Sequence, residues 1–298
     1  MRVVGFEEGE ARLDWLTLTD ALAAGHRLPR AEITDGFLYR GEDTLLNRAA
    51  WIDGLGLAVK TATIFPANTT VPSVNGGVCL YSDRDGTLRA VIDFHLVTKW
   101  KTAGDSLLAA RRLARPDSRT ILIVGAGTVA RSMISAYSAA FPEARFLVWN
   151  RTGARAEALA GETGAEAVAD LEAAVRRADI VSAATMSREP ILEGAWLKPG
   201  THVDLIGAYR PDMREADDEV LRRGRVFVDS RATVLGHIGE LAIPIGKGTL
   251  AEADVIADYY DPPERFARET SHEITVFKNG GGAHLDLMTA RHVLDRFD

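Results

Sequence analysis

The second half of the chain repeats a pattern of short apolar runs followed by segments with helical spacing. Ile121–Val124 is apolar throughout, a helix is predicted from the next turn to about Ala140, and Phe146–Trp149 predicts a second strand. Further strands are predicted at Ile180–Ala184, His202–Ile206, Arg225–Asp229 and Ile274–Phe277. Strands that alternate with helices in this way predict a parallel sheet covered by helices.

The first third has a different pattern, typical of an α+β domain. A short helix is predicted at Thr19–Arg27, with Thr19 or Asp20 as its cap. Apolar positions with helical spacing predict a second helix at Thr102–Ala114. Three strands are predicted at Leu57–Phe65, Val78–Tyr81 and Thr87–Phe94. A hairpin turn at 82–86 joins the last two.

Two breaks in these patterns suggest how the domains are arranged. Residues 115–118 (Arg-Pro-Asp-Ser) end the helical pattern, and we place a domain boundary there. A glycine run at 280–282 precedes a last predicted helix, Ala283–Phe297, which is expected to return to the first domain. The sequence thus predicts an α/β protein in which a domain at 117–282 is inserted into an α+β domain formed by 1–116 and 283–298.

Composition narrows the function classes. The chain has 298 residues, 46% of them hydrophobic, and a net charge of −7, which argues against nucleic-acid binding driven by net charge. No apolar run reaches the roughly 18 residues of a membrane span, and the N-terminus turns acidic where a signal peptide needs an apolar core. The single cysteine, Cys79, excludes an internal disulfide, and no Cys/His cluster has the spacing of a metal site. We expect a cytoplasmic protein with no membrane or nucleic-acid partner.

A glycine-rich turn follows the first strand of the alternating region. In Gly125-x-Gly127-x-x-Ala130 the first glycine permits a tight turn, the second lets a pyrophosphate approach, and the alanine permits close helix–strand packing. The start of the helix, which includes Ala126, Thr128 and Val129, supplies N–H groups to the anion. This context predicts a Rossmann domain. The cofactor is also expected to contact Thr185 and Met186, after the strand Ile180–Ala184.

The end of the next strand bears on the choice of cofactor. NAD enzymes usually place a carboxylate there for the ribose 2′-hydroxyl, whereas this chain has Asn150, Arg151 and Thr152, with Arg155 one turn later. A guanidinium pairs with a 2′-phosphate that a carboxylate would repel. The pattern therefore favours NADP(H), with NAD(H) possible. The alternative is that both arginines are solvated residues at a helix start.

Three basic residues of the first domain are candidates for binding an anion. Lys60 lies in a strand with two largely apolar faces, where a buried ammonium needs an anionic partner or a lowered pKa. Lys101 is placed just before the helix predicted at 102–114, where a cation opposes the helix dipole unless an anion lies between them. Arg30 is a third possible carboxylate partner. A snorkelling Lys60, a capping-region Lys101 and a surface Arg30 are the alternatives.

These motifs together resemble the ornithine cyclodeaminase/mu-crystallin family over nearly the whole chain. The matching segments include Ala58-Val59-Lys60, Pro72-Ser73-Val74-Asn75-Gly76, Thr98-x-x-Lys101-Thr102, Gly125-Ala126-Gly127, Trp149-Asn150-Arg151-Thr152 and Gly207-Ala208-Tyr209-Arg210-Pro211-Asp212. The resemblance implies a Rossmann domain inserted in a substrate-binding and dimerisation domain, and hence a homodimer. It also implies that Arg30, Lys60, Ser73, Asn75 and Lys101 contact the substrate.

Two departures from the family pattern distinguish among its activities. Cyclodeaminases carry an aspartate where this chain has Tyr209, so the resemblance is to mu-crystallin and the ketimine reductases. Most members have arginine where this chain has Lys101, which keeps the charge but loses the bidentate fork.

We therefore expect an NAD(P)H-dependent reductase of small cyclic α-imino acids, Δ1-pyrroline-2-carboxylate or Δ1-piperideine-2-carboxylate, that yields L-proline or L-pipecolate. Lys60 and Lys101 are the expected catalytic residues, and water is another possible proton donor. The alternatives are an ornithine cyclodeaminase, an oxidative dehydrogenase of alanine or an N-alkyl amino acid, and a non-catalytic NADPH-dependent binding protein.

Overall fold

The computed structural model describes residues 1–297. Its strands are β1 (Arg2–Val4), β2 (Glu32–Arg40), β3 (Asp43–Ile52), β4 (Gly56–Ile64), β5 (Val74–Tyr81), β6 (Leu88–Asp93), β7 (Thr120–Val124), β8 (Arg145–Trp149), β9 (Glu166–Ala167), β10 (Ile180–Ala183), β11 (His202–Leu205), β12 (Gly224–Val228), β13 (Val255–Ala257) and β14 (Ile274–Lys278). Its α-helices are α1 (Phe6–Glu10), α2 (Trp15–Gly25), α3 (Phe94–Leu113), α4 (Thr128–Ala140), α5 (Gly153–Thr163), α6 (Leu171–Arg177), α7 (Asp218–Arg223), α8 (Arg231–Val234), α9 (Gly239–Gly246) and α10 (Ala283–Asp295). No helix in this described part is both long and apolar enough to cross a membrane.

The chain divides into two units. Unit 1 is Met1–Gly104 with Gly281–Asp298, and unit 2 is Asp105–Gly280. The first division falls inside α3, since that helix runs unbroken to Leu113. The domain boundaries expected at 116/117 and 282/283 therefore differ from the limits of the units, and they stay a prediction.

Unit 1 is built on a six-stranded sheet in the order β1-β6-β5-β4-β3-β2. β1 pairs in parallel with β6, and the other neighbours are antiparallel. β4 alternates buried and half-buried positions, so that Ala58, Lys60 and Ala62 share the buried face. α10 packs against β3, β4, β5 and α2, which returns the end of the chain to this unit, as expected.

Helices α2 and α3 both begin earlier than the sequence patterns predicted, α2 at Trp15 rather than Thr19 and α3 at Phe94 rather than Thr102. The helix expected at Thr19–Arg27 is α2, which starts at Trp15 because Asp14 caps it by accepting the Thr17 N–H at 2.9 Å. The strands β2 and β3 were not predicted at all. β2 is exposed at every position, so its side chains do not follow the alternation of a half-buried strand.

Unit 2 is an α/β domain of the Rossmann type. Its eight strands are all parallel, in the order β13-β12-β14-β11-β10-β7-β8-β9. The chain runs from β7 outward to β8 and β9, then returns to the other side of β7 with β10. Such a reversal of strand order creates a crevice at the carboxyl ends of β7 and β10, where doubly wound proteins bind their ligands. The predicted fold class and the strands predicted in this region are confirmed.

Candidate functional site

A groove in unit 2 opens at this reversal of strand order. It encloses about 380 Å³. It is lined by Gly125, Ala126, Gly127, Trp149, Asn150, Arg151, Arg155, Ala184, Thr185, Met186, Ser187 and Ile191. Eight of the eleven residues predicted to contact a cofactor are among them. The other three, Thr128, Val129 and Thr152, lie within two residues of a lining residue in the sequence.

The glycine turn has the geometry that a dinucleotide requires. Gly125 has φ +120°, and a Cβ there would lie 2.7 Å from the Ala184 carbonyl oxygen, so only glycine fits. A Cβ at Gly127 would meet no atom within 4 Å, because this residue faces open space at the start of α4. Ala130 is fully buried, as close packing of α4 requires. The turn thus leaves room for a phosphate group beside the N–H groups at the start of α4.

The end of β8 carries no carboxylate. Asn150 donates from Nδ2 to the Thr152 carbonyl oxygen at 3.0 Å, which shapes the loop before α5. Arg151, Thr152 and Arg155 are exposed, and both arginines line the groove. Two guanidinium groups are therefore available at the position where the adenosine ribose of a dinucleotide would lie.

Unit 1 contains a buried cluster of opposite charges. Asp286, on α10, accepts a hydrogen bond from Lys60 Nζ at 2.9 Å and lies 3.0 Å from Lys101 Nζ. Lys60 also donates to Thr98 Oγ1 at 2.8 Å, and Lys101 donates to the Gly281 carbonyl oxygen at 2.7 Å. Lys60, Lys101 and Asp286 are 5%, 4% and 1% exposed. The structure therefore brings together the two lysines that the sequence singled out, although they come from β4 and α3.

The charges of this cluster do not cancel. Two ammonium groups face one carboxylate, which leaves one excess positive charge when both lysines are protonated. The pKa of Lys101 is lowered to about 7, mainly by burial and also by the charges of Lys60 and Arg48, although Asp286 opposes the shift. Burial disfavours the ionised form of Asp286, but the two lysines outweigh it and hold the pKa of that carboxyl below its ordinary value. A small anion would relieve this imbalance.

Arg48 is a further cation that the sequence patterns missed. It lies opposite Lys60 in the antiparallel register of β3 and β4. Its Nη1 donates to the Gly281 carbonyl oxygen at 3.1 Å, the same atom that Lys101 contacts. Its Nε and Nη2 pair with the two carboxylate oxygens of Asp35 at 3.0 and 2.9 Å. A prediction of β3 would have placed Arg48 beside Lys60.

Asp286 was also missed, for a different reason. It lies 226 residues from Lys60 in the chain, so no local pattern connects the two. The available signal was an aspartate in the first turn of a helix whose other residues are almost all apolar or buried. Two lysines predicted to be buried also required a carboxylate partner from elsewhere.

The expected reason for the environment of Lys101 is wrong. The sequence placed it before a helix at 102–114, but it lies within α3, which begins at Phe94. The Asp93 carboxylate accepts the Leu96 N–H at 2.8 Å and so caps the helix at that earlier point. No helix dipole therefore opposes Lys101 at an N-terminus. Burial and neighbouring charges determine its properties instead.

The other residues expected to bind substrate lie at more open positions of unit 1. Arg30 is exposed and precedes β2. Ser73 is exposed, and its carbonyl oxygen accepts the Phe65 N–H at 2.7 Å. Asn75 is half-buried and donates from Nδ2 to the Pro72 carbonyl oxygen at 2.6 Å. These contacts order the loop between β4 and β5, and the substrate-binding roles of the three residues stay a prediction.

Comparison with known proteins places this arrangement among relatives. Residues 52–298 match the sequence profile of the ornithine cyclodeaminase/mu-crystallin family. A Δ1-pyrroline-2-carboxylate reductase of Paracoccus denitrificans is 51% identical over 97% of this chain and 95% of its own. The structure of the Thermococcus litoralis Δ1-pyrroline-2-carboxylate reductase, in complex with NADH and L-proline, is 26% identical and superposes with a TM-score of 0.89 over 99% of this chain and 97% of its own.

A second solved structure with the same TM-score, 0.89, is an archaeal alanine dehydrogenase dimer with bound NAD, which is 26% identical over 99% of this chain and 95% of its own. These likenesses extend over both units, and the profile covers far more than half of the sequence. The chain belongs to the ornithine cyclodeaminase/mu-crystallin family.

Proposed function

We propose that the chain is an NAD(P)H-dependent reductase of a small cyclic α-imino acid, Δ1-pyrroline-2-carboxylate or Δ1-piperideine-2-carboxylate. The buried cluster of Lys60, Lys101 and Asp286 carries this proposal, because it offers an excess positive charge to a substrate carboxylate. The Paracoccus and Thermococcus relatives, both Δ1-pyrroline-2-carboxylate reductases, support the same reaction. The chain is accordingly an oxidoreductase that acts on a C=N bond.

The substrate carboxylate is proposed to pair with Lys101, with Arg48 supplying a second cation and Arg30 a third. A carboxylate that joins this cluster neutralises the excess charge, and the gain is large because the lysines are shielded from water. Binding also favours the protonated form of Lys101, since a new anion lies beside its Nζ.

The reaction needs one hydride and one proton. When bound, the reduced nicotinamide supplies the hydride to the imine carbon, and the electron pair of the C=N bond becomes the lone pair of an amine nitrogen. A neutral imine also takes one proton at nitrogen. Lys60, buried beside Lys101 on the same Asp286 carboxylate, is proposed to hold or relay this proton. Water stays the other possible donor.

For the cofactor, a nicotinamide dinucleotide is supported by the groove and by the relatives that bind NADH or NAD. We propose that NADP(H) is preferred. Arg151 and Arg155 line the groove where β8 ends, and Asn150 replaces the carboxylate that would repel a 2′-phosphate.

We also propose a homodimer formed through unit 1. β2 is the edge strand of the six-stranded sheet and carries exposed apolar side chains, namely Ile33, Phe37, Leu38 and Tyr39. An exposed apolar edge strand is an aggregation hazard unless a partner covers it. The dimeric alanine dehydrogenase relative supports this assembly. The Leu38 side chain is 67% exposed. A Leu38→Glu variant is expected to sediment as a monomer in analytical ultracentrifugation, whereas the wild type sediments as a dimer.

The decisive experiment follows absorbance at 340 nm with Δ1-pyrroline-2-carboxylate and NADPH, beside NADH, and separately ornithine with NAD⁺. Loss of NADPH with formation of proline is expected. Ammonia from ornithine, with no reaction of the imine, would establish the cyclodeaminase instead. Reduction of NAD(P)⁺ by an open-chain amino acid alone would establish an oxidative dehydrogenase, and cofactor binding without any turnover a binding protein.

A further inference from the structure

One buried carboxylate of unit 2 joins two loops at the carboxyl ends of neighbouring strands. Glu215 is fully buried. Its Oε1 accepts the Thr185 N–H at 2.6 Å and the Thr185 hydroxyl at 2.7 Å, and its Oε2 accepts the Gly207 N–H at 2.6 Å. Thr185 follows β10 and Gly207 follows β11. A single side chain therefore ties together the segments that leave these two strands.

The two loops are in direct contact as well. A Cβ at Gly207 would lie 1.6 Å from the Thr185 carbonyl oxygen, so glycine is required for this approach. Only one of the loops reaches the cofactor groove, since Thr185 lines it. Glu215 is fully buried and is not among the residues that line the groove, and its three hydrogen bonds are made to these two loops.

The position of Glu215 is itself fixed by a second buried acid. Glu240 accepts the backbone N–H of Glu215 at 2.7 Å and that of Ala216 at 3.0 Å. Burial raises the pKa of Glu215, and so does Glu240, whereas the charge of Lys278 and the donors of Thr185 oppose that rise. Lys278 is fully buried and donates to the Leu205 carbonyl oxygen at 2.8 Å. Such a hydrogen-bonded set of buried groups holds one arrangement of the loop.

The strand order indicates which half of a dinucleotide this loop meets. The pyrophosphate lies at the turn after β7, and the adenosine ribose at the end of β8, on one side of β7. The other half must then extend toward β10, on the opposite side. Thr185, one residue past Ala184 at that end, lines the groove on the side where the nicotinamide half would lie.

We propose that Glu215 is a positioning residue for the nicotinamide half of the cofactor, acting through Thr185. This inference rests on the proposed function, since it takes the groove as a dinucleotide site. It assigns the carboxylate no contact with the cofactor or the substrate. Its effect is to hold the backbone and hydroxyl of Thr185 beside the position that the nicotinamide ribose would occupy.

The test separates the two halves of the cofactor. In Glu215→Gln one amide oxygen can still accept from Thr185, but the amide N–H₂ then meets the Gly207 N–H, donor against donor. We expect titration calorimetry to show NADPH binding weakened about 10- to 100-fold, the loss typical of leaving a buried N–H donor without its acceptor. The binding of 2′,5′-ADP, which holds only the adenosine half, should change less than about twofold, a difference within the ordinary scatter of surface substitutions.

A matched control is Glu172→Gln, which makes the same chemical change at an exposed position of α6 where the carboxylate pairs with Arg176. It should leave both affinities unchanged. If Glu215→Gln does not fold, Glu215→Asp keeps a carboxyl group but is one methylene too short to reach both loops, and the same selective loss of NADPH affinity is expected. Equal weakening of both probes, or unchanged NADPH affinity in a folded variant, would overturn the inference.

The outcome also distinguishes this inference from the proposed function. A wild-type protein that binds neither NADPH nor NADH would overturn both. A wild-type protein that binds and oxidises NADPH with the imine, while Glu215→Gln matches it in NADPH affinity, would overturn only the positioning role. Steady-state kinetics adds a second readout, because displacement of the nicotinamide should lower kcat with the imine as well as raise the KM for NADPH.

Discussion

Replacing Lys101 with arginine is expected to remove a loss of activity at alkaline pH. The pKa of Lys101 is lowered to about 7, first by burial and then by the charges of Lys60 and Arg48. The proposed carboxylate binding needs the protonated ammonium. The wild-type kcat/KM should therefore fall about tenfold for each pH unit above 7, or about 100-fold by pH 9, because kcat/KM reports the ionisation of the free enzyme. A guanidinium keeps its charge throughout this range.

The assay is kcat/KM for Δ1-pyrroline-2-carboxylate, from pH 6 to 9, for the wild type and Lys101→Arg side by side. The imine nitrogen of the substrate titrates identically in both reactions, so the ratio of the two profiles isolates the enzyme. That ratio should rise with pH in favour of arginine. Lys101→Met is the matched variant without charge, and its kcat/KM should be low at every pH because an excess cation has been lost.

Stability offers an independent check of the same pKa. Between about pH 7 and the ordinary lysine range, the unfolded chain holds a proton at residue 101 that the folded chain has released. The contribution of Lys101 to the free energy of unfolding therefore rises with pH in that window, by up to about 1.4 kcal/mol per unit. Below pH 7 both states are protonated and the contribution is flat. Parallel pH profiles for lysine and arginine enzymes, in both activity and urea denaturation, would refute the reasoning.

Three further substitutions test other parts of the site. Asp286→Asn leaves two buried ammonium groups without their carboxylate. It should lower the free energy of unfolding by about 3–5 kcal/mol in urea titrations. A loss under about 1 kcal/mol would contradict the ion pairs of this cluster. Arg151→Asp should reverse the preference from NADPH toward NADH in kcat/KM, and a persisting preference for NADPH would exclude Arg151 from the 2′-phosphate site. Gly125→Ala places a Cβ at a residue with φ +120°, 2.7 Å from the Ala184 carbonyl oxygen. This change should lower the melting temperature and abolish NADPH binding measured by fluorescence. Tight binding by this variant would contradict the role of the turn.

The Rossmann unit could be read from the sequence because its signals are local. The apolar run before Gly125, the glycine spacing and the helix to Ala140 all lie within twenty residues of one another. Consecutive strands of this fold pair through short connections, so each local pattern fixes its own place in the sheet. The predicted element limits agree with β7, α4 and β8 to within about a residue.

Unit 1 was predictable only in part, because its pairings link distant segments. β2 is an edge strand that is exposed at every position, so no buried face marks it, and β3, which follows it, has no clear apolar alternation. Asp286 contacts Lys60 across 226 residues of chain. What the sequence did reveal was a misfit: a lysine on the buried face of β4. That misfit pointed to a missing anionic partner without identifying it.

The uncompensated charge of the cluster is itself an argument for function. A buried ion pair contributes little to stability compared with apolar residues of similar volume, and a core under selection for stability alone would replace it. This cluster goes further, since Lys60 and Lys101 share a single carboxylate and Arg48 approaches the same carbonyl oxygen as Lys101. Each added cation makes the empty site less favourable and the anion-bound site more favourable. The unliganded protein therefore carries in unit 1 an electrostatic cost that a bound anion would reduce, and the pKa of Lys101, lowered first by burial and then by neighbouring cations, reflects part of that cost.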